Sequence, residues 1–480
     1  MPLVALVATA ALSAAPASGG NVPSNPPIPA GFVHQDGTQL LDGAGQPLKL
    51  RGVDLGGWLS WEGWIWGESM DYVGESTMMS NLTSLVGPTR ADQFQTEVYD
   101  NFITAADFKA MSEDGYNVAR VPFNYRMLED DSNPGVYKQS GWEVLDQLVA
   151  EAEANNVYIV LDMHAAPCSQ TMGFTADYVG GPDLWGSEAC RDRMVALWKA
   201  IAARYANDNV IAGYDLLNEP VASNQQLISL YQRVTAAIRQ VDPNHLIIYE
   251  GNDLAREFGG FTAPLDSNEM FELHDYSWVS TQDITTRMPG YNAVAERLDA
   301  PIWFGEFGQD LYGGIAHYTS TFNQDPLVAG WADWTWKQSP GFPALQTIHE
   351  SPDAAMLIDW MDDTSRPQPT PAQADQGMSD FIEDIQFANT EPNAQMQQAL
   401  NLGTAGAGSG SGSAGSDAAT VEPTVVPTTE PTTNTRTAAT SDDPLYSWTS
   451  GAAIRSTQRS RRVRRHRRHR RTKHTRARRR

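Results

Sequence analysis

Cysteine is nearly absent from this chain: its 480 residues hold two, Cys168 and Cys190. The 9 histidines include no H-x-x-x-H pair in the body of the chain, and no Cys/His cluster appears, so neither a metal nor a cofactor is expected. No G-x-x-x-x-G-K-[ST] loop is present to cradle phosphate. A serine hydrolase would need G-x-S-x-G after a strand, and the body lacks it. Past the N-terminus no apolar run reaches the roughly 18 residues of a membrane span. Basic residues are scarce except at one end. Residues 451–480 hold 15 of the 34 Lys and Arg and no acid, so the first 450 residues carry 19 basic against 58 acidic side chains, a net of −39. So acidic a body argues against nucleic acid as a partner and suits a soluble, secreted protein.

The two ends read as processing and tethering segments. An apolar run from Leu3 to Ala15, followed by Ala15-Pro16-Ala17, reads as a signal peptide over 1–17, although its start lacks Lys or Arg. Residues 18–30, rich in Pro, Gly, Ser and Asn, read as a flexible leader. Residues 391–450 read as a linker or stalk, Gly/Ser-rich at 403–415 and Thr/Pro-rich at 420–440. Residues 451–480 read as a disordered basic tail suited to an anionic cell-wall polymer; a gene-model error at the 3′ end is the competing explanation. The protein is expected to be a monomer, secreted and associated with the cell wall. Export permits a Cys168–Cys190 disulfide, closing a loop of about 23 residues worth about 3 kcal/mol, against the alternative of two free thiols. Asn81-Leu82-Thr83 is a candidate N-glycosylation sequon.

Residues 31–390 carry the organised pattern. Gly31–Leu50 reads as a small hairpin, with turns at Asp36-Gly37 and Asp42-Gly43, plugging the bottom of a barrel. Eight apolar runs follow: 48–55, 117–123, 157–164, 211–218, 246–251, 270–276, 302–307 and 330–336. Their continuous apolar character marks strands covered on both faces. Helical stripes lie between them, such as Leu145, Leu148 and Val149, or Leu227, Leu230, Tyr231, Val234 and Ile238. Strand–helix alternation eight times over predicts an α/β fold, a (β/α)8 barrel. A doubly wound open sheet is the competing arrangement, but polar groups end nearly every strand rather than clustering at one crevice.

Those polar ends are Arg120, His164, Asn218 with Glu219, His274 with Tyr276, Glu306, and Trp334 with Trp336. One such residue alone is more often a satisfied buried polar group. Nine together argue for a site, and two strand-end glutamates 87 positions apart suggest the carboxylate pair that cleaves a glycosidic bond.

Arg51-Gly52-Val53-Asp54-Leu55-Gly56-Gly57-Trp58, Arg120-Val121-Pro122, Asp162-Met163-His164, Asn218-Glu219-Pro220, His274-Asp275-Tyr276, Gly305-Glu306-Phe307 and Trp334-Thr335-Trp336-Lys337 together resemble glycoside hydrolase family 5. The resemblance covers about residues 45–340. It implies a retaining β-glycosidase acting on β-linked glucan through a covalent glycosyl-enzyme, with Glu219 as general acid/base and Glu306 as nucleophile. It implies that Arg120 and Tyr276 donate to Glu306, that Asn218 meets the sugar 2-hydroxyl, and that His274 steadies Glu219. His164 would contact the same sugar or orient Glu306, and Trp334 would form the sugar platform. Lys337 and Gln338 would reach a neighbouring sugar.

The chemistry asks Glu219 to hold a proton, its pKa raised, and Glu306 to stay ionised. His164-x-Ala166-Pro167-x-Ser169-Gln170 resembles the exo-1,3-β-glucanase branch, which usually has Gly where this chain has Cys168; the general layout equally fits endo-1,4-glucanases. Alternation assigns Asp162, Asp215, Asp275 and Asp333 to structural roles away from the mouth. Asp54, Glu62 and Glu68, with Trp58, Trp61, Trp64 and Trp66, read as a wall of the cleft, against the alternative of loop packing. A carbohydrate-binding pseudoenzyme is the rival reading, and the intact glutamate pair weighs against it.

Overall fold

A computed structural model describes residues 25–67, 72–181, 183–277, 280, 282–309 and 311–400. The chain divides into two compact units, 1–409 and 410–480, and the second lies outside the described residues. So do the signal peptide, most of the stalk, the basic tail and Glu68.

Eight parallel strands close into a barrel. They are β1 (Leu50–Asp54), β2 (Val118–Asn124), β3 (Tyr158–Ala165), β4 (Ile211–Asp215), β5 (Leu246–Glu250), β6 (Glu269–Tyr276), β7 (Ile302–Gly308) and β8 (Val328–Asp333). Each pairs with the next, and β8 returns to β1. Almost every strand residue is buried, because helices cover the outside and side chains fill the inside. All eight expected runs are strands, within a few residues at each end.

The helices follow from amphipathic stripes and caps. Gln139–Asn155 buries Leu145, Leu148 and Val149, and Asn224–Arg239 starts at a capping box formed by Ser223 and Gln226. The eightfold alternation has one exception. The link from β5 to β6 holds only a four-residue turn, Asn252–Ala255, with Asp253 and Leu254 in left-handed conformations. Its sequence, with Gly259-Gly260 and Pro264 and no apolar stripe, has nothing to stabilise a helix.

The barrel interior is divided by polarity. At its N-terminal end Val33 and Leu40 of the hairpin (His34–Asp36 paired with Gln39–Leu41) pack on Leu50, Val118, Val160, Ile248, Met270 and Trp303. This apolar plug leaves the polar side chains to the C-terminal end.

Both domain edges differ from expectation. In the leader, Asn25 donates to Ser112 Oγ and to the Tyr116 carbonyl, and Asn209 donates to the Pro29 carbonyl. Residues 391–400, expected to open the stalk, are docked. Glu391–Pro392 pairs with Gln346–Thr347, and the helix Ala394–Ala399 buries Met396. Asn393 caps that helix, and Thr319 donates to its Ala399 carbonyl. Buried apolar side chains at Met396 and Leu400, set among polar neighbours, are what hold the segment down.

Candidate active site

Strand alternation decides which side chains enter the barrel. On β6 it sends Glu272, His274 and Tyr276 inward and Asp275 outward. On β3 it sends Asp162 and His164 inward together. Register then sets heights: Asp54 lies level with Arg120, Asp162 with Asp215, and His274 with Glu306.

Arg120, on β2, is fully buried at the centre. Its guanidinium contacts six carboxyl groups: Asp54 at 3.1 Å, Asp162 at 3.1 Å, Asp215 at 3.0 Å, Glu250 at 3.0 Å, Glu272 at 2.8 Å and Glu306 at 3.3 Å. One cation cannot balance six buried anions. Burial accordingly pushes Asp54 and Asp215 well above the usual carboxylate range, with repulsion from neighbouring carboxylates adding to it and Arg120 opposing it.

Above this layer stand Glu219 and Glu306. A carboxylate oxygen of each, with a ring nitrogen of His274, all lie within 4.8 Å of one another. Glu306 accepts hydrogen bonds from the Tyr276 hydroxyl and from Arg120. Glu219 Oε1 faces His274 Nδ1 at 3.1 Å, and that nitrogen is 3.7 Å from Glu306. Burial lifts Glu306 to about 7 against the opposing charge of His274, and the Glu219 charge lifts it further. Burial would also raise Glu219, but the hydrogen bond and charge of His274 outweigh it and hold Glu219 below its ordinary value. The order is thus the reverse of the one expected from sequence. The cause is His274: burial disfavours its charge, yet Glu250, Glu306 and Glu219 hold it as imidazolium well above the usual range.

Three further side chains complete the mouth. His164 lies between Asp162 at 2.7 Å and Glu62 at 3.2 Å, which hold it charged, its pKa raised to about 10 against burial. Its ring stacks on Trp334 at 5.5 Å and 14°. Trp334 in turn lies so close over Gly56 that a Cβ there would meet its ring at 2.8 Å. Asn218 accepts from Arg120 at 3.0 Å, while its buried Nδ2 has no hydrogen-bond partner among the described residues. Gln170 donates to the carbonyls of His164 and Asn218, tying the β3 loop beneath the site. Cys168 and Cys190 are joined in a disulfide that anchors this loop to the helix Glu188–Tyr205.

The eight site residues named from sequence come together at the barrel mouth. Other expectations fail. Asp162 and Asp215 do not point away: Asp162 sits two positions from His164 and so shares its face, and both reach Arg120. Asp54 lies under Arg120 rather than in a cleft wall. Glu62 is spent on His164 and Trp64. Trp58, Trp61 and Trp66 are buried in the core, so the aromatic loop is mostly packing. Lys337 is fully buried against Asp107 and the carbonyls of Phe102 and Ile385, out of reach of a sugar, and Gln338 is buried beside it. Asp275 binds Arg287, Tyr291 and Tyr318 outside the barrel. The Asp333 carboxyl is buried with no hydrogen-bond partner among the described residues. Asn81 sits half-buried on the helix Glu75–Val86 and donates to the Met361 carbonyl at 2.7 Å, which engages the nitrogen a glycan would need.

Glu250 and Glu272 were missed. The spacing Glu272-x-His274-x-Tyr276 carried the signal for one, a shared strand face. The last residue of Leu246–Glu250 carried it for the other. Among the described residues, three carboxylate or carboxylate–histidine groups are close enough to share a metal: Glu219, His274 and Glu306; Glu250, Glu272 and His274; Asp162, Asp215 and Glu250. Arg120 and charged His274 already stand among them as cations.

A paired carboxyl and carboxylate facing one another at the barrel mouth can pass a proton and attack a carbon on the same ligand. Comparison with known proteins bears on which ligand. The family model "Cellulase (glycosyl hydrolase family 5)" matches residues 83–339. A β-xylosidase of Phanerodontia chrysosporium is 31% identical over 369 residues, covering 69% of this chain and 75% of that protein. A probable glucan 1,3-β-glucosidase A of Emericella nidulans is 32% identical over 275 residues, covering 54% and 67%. In fold, the chain is similar to an endogalactoceramidase, at a TM-score of 0.50 and 21% identity over 73% of this chain and 84% of that one.

Proposed function

The chain belongs to glycosyl hydrolase family 5, and on that premise we propose that it cleaves β-linked glucan by double displacement, with Glu306 as nucleophile and Glu219 as general acid/base. The observation that carries the proposal is that the two carboxyl groups face one another, with one oxygen of each within 4.8 Å of the other. Retaining enzymes space them at about 5–5.5 Å, inverting ones at about 6.5–9.5 Å. Glu306 attacks the anomeric carbon while Glu219 protonates the departing oxygen. Water then resolves the glycosyl-enzyme with Glu219 as base. Tyr276 and Arg120 hold the nucleophile, Asn218 Nδ2 meets the sugar 2-hydroxyl, and Trp334, seated on His164, forms the platform.

At so short a separation the two carboxyls compete for one proton. Double displacement requires it on Glu219, where a glycosidic oxygen receives it. Relatives named for glucan 1,3-β-glucosidase support a β-1,3-glucan. The longer match to a β-xylosidase favours a second reading, a β-xyloside. The disulfide suits an oxidising compartment and supports secretion. Residues 401–450 would be the stalk and the basic 451–480 the tether to an anionic wall polymer.

The test is hydrolysis of laminarin, carboxymethylcellulose, mannan and aryl β-glucoside and β-xyloside, beside Glu306→Gln. Turnover with a β-anomer as first product is expected, lost by at least about 1,000-fold in the variant. Binding without turnover on every substrate contradicts the proposal.

A further inference from the structure

Glu250 ends β5, and its buried carboxylate reaches three groups of the site at once. Oε2 accepts the backbone N–H of Glu219 at 2.5 Å. Oε1 lies 3.0 Å from Arg120 Nη2 and 3.4 Å from His274 Nε2. Glu219 needs such a tether. Its φ of +46° is in the left-handed region, which costs a side-chain-bearing residue energy unless the surroundings enforce it. A carboxylate receiving a backbone N–H is roughly twice as strong as a neutral hydrogen bond. The other oxygen stands behind the imidazole whose Nδ1 faces Glu219.

Resting on the reading of Glu219 as acid/base, we propose that Glu250 is its positioning residue: one oxygen fixes the Glu219 backbone and the other holds the His274 imidazole charged beside the Glu219 carboxylate. The chain Glu250–His274–Glu219 then sets the pH at which the catalytic pair gives up its shared proton. The groups facing this chain are Glu272 on β6, Glu306 on β7, Asp215 on β4, Asp162 on β3 and Arg120 on β2. The Tyr231 hydroxyl, from the helix Asn224–Arg239, donates to the Glu250 carbonyl, and the charges of His164 and Arg256 reach Glu219. Arg120 is divided among six carboxyls, so it cannot serve Glu250 alone. His274 gains most from Glu250, whose charge is the largest influence favouring its imidazolium form against burial. Burial raises Glu250 in turn, and the His274 charge opposes that most.

Two variants separate the two oxygens. Glu250→Gln keeps an acceptor for the Glu219 N–H and loses the charge. Glu250→Asp keeps the charge and is too short to reach both partners. Glu250→Gln should move the alkaline limb of kcat/KM upward by about one pH unit, because a neutral His274 no longer drives the proton off the pair. It should cost about 10-fold on an alkyl β-glycoside, whose leaving group needs the proton, and less than about 3-fold on a 2,4-dinitrophenyl glycoside, whose leaving group does not. Glu250→Asp should keep the limb and lose about 10-fold on both substrates. Long-range 1H–15N NMR of the His274 ring supplies a readout without substrate: the imidazolium should persist to higher pH in the wild type than in Glu250→Gln. Identical His274 titrations, or equal losses on both substrates with an unmoved limb in Glu250→Gln, or a shifted limb in Glu250→Asp, would overturn the proposal. Failure of the glycosidase reading is seen separately, as absent turnover in the wild type while the NMR titration still reports on Glu250.

Discussion

Glu219 and Glu306 titrate as a pair, and the pair predicts a pH profile. Glu219 is held below 4.5 and Glu306 is raised to about 7. The singly protonated pair, the form double displacement uses, therefore exists between these values. Above about pH 7 the shared proton leaves and no acid remains; below the Glu219 value both groups are protonated and no nucleophile remains. A bell with an alkaline limb near pH 7 is the expected result for kcat/KM on an unactivated glycoside. A limb near pH 9 would contradict the placement of the proton.

Gly305 gives a second residue-scale prediction. A Cβ there would stand 1.9 Å from Glu272 Oε1, which binds Arg120 Nε at 2.8 Å. Gly305→Ala must push Glu272, and through it Arg120 and Glu306. Overpacking of this kind costs about 1–3 kcal/mol. Thermal unfolding should show that loss together with a fall in kcat of at least about 10-fold, and unchanged values for both would refute the coupling. The catalytic pair was legible because each member follows an apolar run. The acids below it were not, because a carboxylate inside a strand reads as structural until the register shows that several converge on one arginine.

At the scale of elements, the β3 loop is held from two sides. The disulfide anchors one end. Cys168 and Ser169 both take left-handed conformations, φ 68° and 66°, which side-chain-bearing residues adopt at a cost that the surrounding loop enforces. Farther along, Asp177 accepts from the Ser76 N–H at the start of the helix Glu75–Val86, and from Asn124 and Arg126. Asn124 also donates to Glu75, so two buried carboxyls lie on one amide.

Burial, then the Asp177 charge, raises Glu75 from 4.5 to about 7. A carboxyl raised on folding adds stability that is full below its unfolded value and lost as pH rises through the folded one, here from 4.5 to about 7. The amount is about 3 kcal/mol. Glu75→Gln removes this dependence. Its unfolding free energy minus that of the wild type should climb by about 3 kcal/mol from pH 4.5 to 8, whereas a constant difference would show that Glu75 does not titrate there. The strands were readable from sequence because both their faces are buried, which leaves runs without alternation. The β5–β6 link was not, since the eightfold pattern was extended across a segment that has no apolar stripe.

For the whole molecule, polarity follows the barrel axis, with an apolar plug at one end and a charged, partly protonated layer under the mouth at the other. That division gathers the polar side chains at the C-terminal strand ends, the positions from which the candidate site was drawn. Segment boundaries were harder to read. Composition marked residues 391–400 as linker, and two buried side chains, Met396 and Leu400, were enough to dock them.

The basic segment 451–480 opposes a body of net −39. Deleting it should leave rates on soluble substrates unchanged and lower the salt needed to elute the protein from an anionic polymer; an unchanged elution profile would end the tethering reading.

The most direct test of the central claim is the position of the covalent intermediate. Trapping with a 2-deoxy-2-fluoro glycosyl donor, followed by peptide mass spectrometry, should place one sugar on Glu306. A sugar on any other residue, or no adduct beside an inverted first product, would contradict the account.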